Sequence, residues 1–362
     1  MLWTIISFII MFSLIVICHE GGHYLIARAN GIKVIEFTIG LGPKIIHFKK
    51  GDTEYSLRAL PFGGACIFEN PDELDEEEEE KENEEKLSED LEKDKKNISF
   101  NDASVFARIA TVCAGPFFNI ILAFLLAIFV VFFSGENGTT VTDIMEDYPA
   151  YKAGIRVGDR ITAINNEKVY FIQDIKLMLI TELGDKWEVE FERNGQKMSE
   201  TVSFTDSTQG KLLGIVTDDY IDCRNLKVFK YSALEVRFFL KATFKSLRML
   251  FTGKLNKDDL AGPVGIAKVI DTTIEETKDY GAFVVILNMF NLAVLFNVNL
   301  GVMNLLPFPA LDGGRLVFLV IEAIIGKKVP KTAEAYIHLA GIVVLLILSV
   351  FVLINDITKF FR

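Results

Sequence analysis

The chain has 362 residues, half of them hydrophobic, with 30 phenylalanines and a mean hydropathy of +0.32. That content excludes an ordinary soluble domain and points to a membrane protein. The net charge of −11 lacks the basic excess that a nucleic-acid partner requires, and the four cysteines show no CxxC spacing and no pair that can be argued to form a disulfide.

The first element is an uncharged apolar run, Met1–Cys18. It has no basic n-region, and no small-residue cleavage site precedes His19, so it reads as a retained span rather than a signal peptide. His19-Glu20-Gly21-Gly22-His23 follows directly. On a helix, His19 and His23 share one face and can offer two nitrogens to one zinc. Glu20 is the usual general base toward water activated by such a metal. The preceding turns have no polar face, which puts the metal at or inside a bilayer. HExxH alone is a loose pattern. Its alternative is a helix end at the interface, and a third ligand decides between them.

Residues 33–66 read as short strands, Val34–Ile39, Lys44–Phe48 and Glu54–Leu60, separated by turns at Gly40-Leu-Gly42-Pro43 and Gly51-Asp52. Asp72–Lys96 then holds 15 acidic and 5 basic residues, so ten of the eleven net negative charges belong to one segment. Its composition predicts a disordered, solvated spacer over 72–97. A second span is predicted over Ile109–Phe133. It opens with Ala114-Gly115-Pro116-Phe117-Phe118-Asn119, where Gly115 permits close helix approach and Asn119 can hydrogen-bond across helices.

Residues 139–205 read as a β-rich domain. Val141–Met145, Arg160–Ile164 and Trp187–Glu192 are predicted strands, Phe171–Thr181 a helix, and Asn194-Gly195 a hairpin turn. Ala153-Gly154-Ile155-Arg156-Val157-Gly158-Asp159-Arg160-Ile161 resembles the bacterial PDZ signature, which implies extended peptides bound by strand addition. Residues 206–279 contain an amphipathic basic stretch, Leu234–Lys257, suited to the membrane interface. Gly262-Pro263-Val264-Gly265 follows it and reads as either a gate or a static brace.

From Tyr280 to Leu311 no charged residue occurs; then Asp312 appears, followed by Gly313-Gly314. A carboxylate at the end of such a segment suggests function by default. Pro307 and Pro309 break the helix before it. Broken backbone at membrane depth is tolerated where it is buried or lines a cavity. A span within Tyr280–Leu306 and a last one over Ala335–Asn355 complete four. Arg28, Lys33, Lys44, Lys49, Lys50, Arg58 and Arg108 flank the first two spans; Arg315, Lys327, Lys328 and Lys331 precede the last. The positive-inside rule therefore puts these connections in the cytoplasm, with both termini and the 139–205 domain outside, although Lys359 and Arg362 count weakly against it.

HEGGH after the first apolar segment, with Asn304-Leu-Leu-Pro307-Phe-Pro309-Ala-Leu-Asp312-Gly-Gly-Arg315 in a later one, resembles the site-2 proteases, and most closely their RseP-like bacterial branch. The resemblance covers nearly the whole chain. It implies a multi-pass α-helical intramembrane zinc endopeptidase with an inserted PDZ domain. His19, His23 and Asp312 would hold Zn2+, and Glu20 would be the base. Asn299, Asn304, Pro307 and Pro309 would lie near the active site and substrate. It also implies a membrane-associated β-hairpin ending in Pro61-Phe62-Gly63-Gly64, whose edge could take up an unwound substrate strand. The expected partners are single-pass transmembrane proteins or peptides, the bilayer, and a peptide C-terminus at the PDZ domain. The catalytic part divides into residues 1–135 and 280–362. A non-catalytic PDZ scaffold is the competing reading, and the intact His19, Glu20, His23 and Asp312 argue against it.

Overall fold

A computed structural model describes residues 2–68, 98–182, 184–204, 211–254 and 261–360. The acidic run over 72–97 lies outside the described residues. The chain forms two compact units, Met1–Ala123 with Lys257–Arg362, and Phe124–Asn256.

Helix α1, Leu2–Ala29, runs unbroken through the HEGGH segment, since no proline interrupts it. It stops at Asn30-Gly31, where Gly31 takes φ +73°. Strands β1 (Glu36–Lys50) and β2 (Thr53–Ile67) follow. Their pairing departs from the three short strands read in the sequence. Gly40-Leu-Gly42-Pro43 does not end a strand; it bends a continuous one, with Gly40 and Gly42 both at φ +88°. Glu36–Ile39 consequently pairs with Glu54–Leu57 on one side and with Gly64–Ile67 on the other. The distal ribbon exposes Ile45, Ile46 and Phe48, an apolar surface suited to lipid.

Helix α2, Val105–Ser134, carries Pro116 in its interior. At its start Arg108, 4% exposed, makes two hydrogen bonds to the buried Glu322 carboxylate, at 2.9 and 2.6 Å. A buried fork of this kind fixes geometry more than it adds stability.

The second unit contains β3 (Glu136–Asn137), β4 (Asp143–Ile144), a helical turn α3 (Pro149–Lys152), β5 (Arg160–Ile164), β6 (Glu167–Lys168), α4 (Ile172–Thr181), β7 (Lys186–Arg193), β8 (Gln196–Ser203), β9 (Ile215–Val216), β10 (Tyr220–Ile221) and α5 (Lys227–Phe251). A four-stranded sheet runs β6-β5-β7-β8, with β3–β10 and β4–β9 as separate pairs. Trp187, Phe191, Ile161, Ile164 and Met178 form its core. Asn194 and Gly195, at φ +52° and +80°, make the expected hairpin turn. The Gly158-Asp159 pair has a structural explanation: buried Asp159 accepts two 2.7 Å hydrogen bonds from Arg193 and one from the Arg156 N–H. On α5, Lys241 bridges Asp174 and Glu167, and Lys245 bridges Glu167 and Glu182, so the amphipathic helix docks through its basic face. Burial, and then the like charge of Glu235, push the Glu136 carboxyl up to about 9.

The chain re-enters the first unit with α6 (Pro263–Thr277), α7 (Ala282–Asn304), α8 (Asp312–Ile325) and α9 (Lys331–Phe360). Buried Asp356 of α9 accepts the Gly262 and Gly265 N–H groups at 3.0 and 2.8 Å, capping α6. A Cβ on Gly262 would lie 2.7 Å from Val352, which is why glycine stands there. The Gly-Pro-Val-Gly segment is thus tied to α9. Among the described residues, four helices, within α1, α2, α7 and α9, are long and apolar enough to cross a membrane. Of the α9 window only 6% is buried, against 22–28% for the other three.

Candidate metal centre

Continuity of α1 through His19 and His23 turns both imidazoles to one face. Their Nε2 atoms are 3.3 Å apart. Asp312, the first residue of α8, brings Oδ2 to 3.2 Å from His19 Nε2 and 3.4 Å from His23 Nε2. Among the described residues, these three form the one such group with metal-ligand spacing. Three donors about 3.3 Å from one another form a face of a tetrahedron whose centre is about 2.0–2.1 Å from each, the bonding distance of zinc to nitrogen and carboxylate oxygen. Both histidines are buried, and Asp312 Oδ2 is buried without a hydrogen-bond donor. A cation completes such an arrangement.

The opposite ring nitrogens are held from α2. His23 Nδ1 lies 2.8 Å from the Thr111 carbonyl, so it donates there and leaves Nε2 free for a metal. Asn119 faces His19 Nδ1 at 3.2 Å, and its Oδ1 is buried without a partner. Turning the amide over satisfies both groups: Oδ1 accepts the Nδ1–H and fixes the metal-ready tautomer. Gly115 sits directly against the two imidazoles. A Cβ there would lie 2.2 Å from His23 Nε2 and 2.8 Å from His19 Cε1. Sequence reading gave Gly115 and Asn119 packing roles; the structure moves both into the site. The AGPFFN signal was visible, but nothing in it says that the neighbouring face is the histidine pair.

Glu20 leaves α1 one residue after His19. Its carboxylate lies near the Cys66 backbone of β2. Gly64 explains the close approach, because a Cβ there would come within 3.0 Å of Glu20 Cγ and 2.9 Å of Val16. The edge Gly64–Ile67 therefore lies alongside the helix that carries Glu20. Asn304, at the end of α7, places Nδ2 3.2 Å from His19 Nε2. Asn299 is half-buried on α7, and its five-residue offset turns it about 140° from Asn304 around the helix. Pro307 is exposed and Pro309 half-buried in the loop before Asp312. That loop must reverse tightly onto α8. A Cβ on Gly313 would lie 2.1 Å from the Leu306 carbonyl oxygen, and one on Gly314 2.4 Å from that of Phe308, so the double glycine is required for the fold of the loop.

The sequence profile of Peptidase family M50 matches residues 7–348. A relative from Clostridium acetobutylicum is 33% identical over 358 residues, covering 98% of this chain and 97% of its own. One from Agrobacterium fabrum is 34% identical over 378 residues, covering 98% and 96%. Both carry provisional zinc-metalloprotease names. Zinc metalloprotease RasP of Geobacillus kaustophilus is 30% identical over 426 residues, covering 99% and 98%. Among solved structures, the PDZ domain of an SdrC-like protein from Listeria innocua aligns with 23% of this chain and 97% of its own, at 21% identity and a TM-score of 0.20. Similarity at this level over the full length disfavours the scaffold reading. The chain belongs to Peptidase family M50 and is a membrane zinc metalloprotease of the site-2 type.

Proposed function

We propose that His19, His23 and Asp312 hold the zinc, that Glu20 is the base, and that the substrates are transmembrane segments. The observation that carries this reading is the triangle of His19 Nε2, His23 Nε2 and Asp312 Oδ2, with Glu20 on the next position of the same helix. When bound, zinc supplies Lewis acidity at a carbonyl and acidifies water. Glu20 takes a proton from the attacking water and returns it to the leaving amine. Asn304 Nδ2 lies 3.2 Å from His19 Nε2; with that nitrogen's lone pair on zinc, the amide is left to hydrogen-bond substrate beside it, where charge develops. Asn299, Pro307 and Pro309 support the substrate side. A substrate helix satisfies its own amides, so it must unwind before attack. The Gly64–Ile67 edge supports this step, since strand addition supplies main-chain hydrogen bonds to an unwound segment.

Replacing Asp312 or His23 with Ala should remove most of the zinc, read as metal per purified chain. Full zinc and full cleavage in Asp312→Ala would overturn the ligand set.

Residues 139–205 are read as a PDZ domain outside the cytoplasm, with the metal toward the cytoplasmic side; the signature around Gly158-Asp159 and the distribution of basic residues support this. It should then select substrates rather than perform chemistry. Excising Val141–Phe204 with a short linker should preserve cleavage of a substrate with a trimmed ectodomain and admit some bulky ones. Complete loss on the trimmed substrate, in a protein that folds and binds zinc, would make the domain part of the catalytic unit.

A further inference from the structure

Ala310 lies two residues before Asp312 and has φ +78°, a left-handed conformation that a side chain disfavours. Something must hold it there. Its N–H donates to His338 Nδ1 of α9 at 3.0 Å. The neighbouring contact is equally close: Gly341, one turn further along α9, would place a Cβ 2.4 Å from the Pro309 carbonyl oxygen. The last span therefore meets the loop at two consecutive residues, one by a directed hydrogen bond and one by shape. The bond requires a lone pair on Nδ1, which puts the ring proton on Nε2. That nitrogen faces Glu334, one turn earlier, at 3.8 Å, beyond hydrogen-bond length but favourable for an N–H. The ring also lies against Phe318 of α8, with centroids 5.8 Å apart.

We propose that His338 is a positioning residue for the metal. By accepting the Ala310 N–H it keeps the loop in the conformation from which Asp312 reaches His19 and His23. Among the described residues, no hydrogen bond or ion pair joins α9 to the three ligand atoms; the effect passes through the backbone. The proposal rests on the reading of Asp312 as a zinc ligand, and the test separates the two.

Zinc affinity is measured by chelator competition on the full-length protein in detergent, for the wild type, Asp312→Ala and a series at position 338. His338→Leu keeps bulk but has no acceptor, and should weaken zinc binding by about 10–100-fold, the usual effect of losing a group that orients a metal ligand. His338→Asn carries a carbonyl oxygen close to the place of Nδ1 and should restore most of that loss. His338→Gln, whose oxygen falls nearer the place of Nε2, should not. If His338 merely filled space, Leu would be tolerated better than Asn, which reverses the order. Adding Ala310→Gly to His338→Leu should recover part of the affinity, because glycine adopts positive φ without strain; this double variant also serves if the single one folds poorly. Wild-type affinity in His338→Leu, with zinc lost in Asp312→Ala, would overturn the role of His338 and leave the ligand set standing. Zinc retained in Asp312→Ala would overturn the ligand set, and the proposal with it.

Discussion

Glu20→Gln should reduce cleavage of a transmembrane substrate by at least about a hundredfold, and toward ten-thousandfold, the range for removal of a general base, while zinc stays bound. Gln keeps the length of the side chain and a carbonyl oxygen that can face the Cys66 backbone nearby. It keeps the contact with Gly64, whose Cα carries no side chain to obstruct it. What it loses is the ability to take a proton. The imidazoles of His19 and His23 do not depend on position 20 for their orientation, because Asn119 and the Thr111 carbonyl hold their far nitrogens. Substrate should therefore bind and remain uncut, recoverable as a complex by affinity capture. Turnover near the wild-type level, at equal zinc content, would assign the proton transfer elsewhere.

Gly115→Ala should strike the candidate site directly. The added carbon would sit 2.2 Å from His23 Nε2, 2.6 Å from His23 Cε1 and 2.8 Å from His19 Cε1, all far below van der Waals contact. Alanine raises helix propensity on α2, so the helix itself should persist. The imidazoles must turn away, and the nitrogens that meet Asp312 go with them. Zinc affinity should fall by more than the 10–100-fold typical of losing a group that only orients a ligand, since the two imidazoles themselves are displaced. Gly21→Ala is the matched control: its Cβ would meet nothing within 4 Å, and zinc content should be unchanged. Chelator competition on both variants, with circular dichroism to verify helix content, gives the comparison. Equal zinc binding by the two would mean that the histidines sit further from α2 than these distances state.

The parts of the site that were legible in the sequence are those that announce themselves by charge or by helical spacing. His19 and His23 recur at four residues, and Asp312 is the first charge after a long uncharged stretch. Both signals survive because they are set within one helix or at one helix end. The contribution of α2 was not legible for a physical reason: it consists of an absent side chain at Gly115, a backbone carbonyl at Thr111 and an amide at Asn119, none of which differs from ordinary helix packing until the partner face is known. The doubling of Glu36–Ile39 between two segments of β2 was hidden similarly. Gly40 and Gly42 look like a turn, and only the pairing distinguishes a turn from a bend in a strand. The left-handed backbone at Ala310 had no signal at all, because alanine gives no hint of positive φ. The four long apolar helices, by contrast, were legible, since length and hydropathy decide them, although the first runs on to Ala29, well past the Cys18 at which the apolar run ends.

The bareness of α9 has a consequence for what its sequence encodes. His338 and Asp356 each hold a partner from another segment, and between them most side chains, from Ile342 to Ile354, face outward. The helix thus acts as a ruler. Eighteen residues fix roughly 27 Å between the Asp312 loop and the cap of α6, and five full turns align the two contacts on one side. One inserted residue would lengthen it by about 1.5 Å and swing Asp356 some 100° away from Gly262 and Gly265, whereas exchanging one apolar side chain for another along the outer face would alter neither quantity. The information carried by that stretch is its count and its phase.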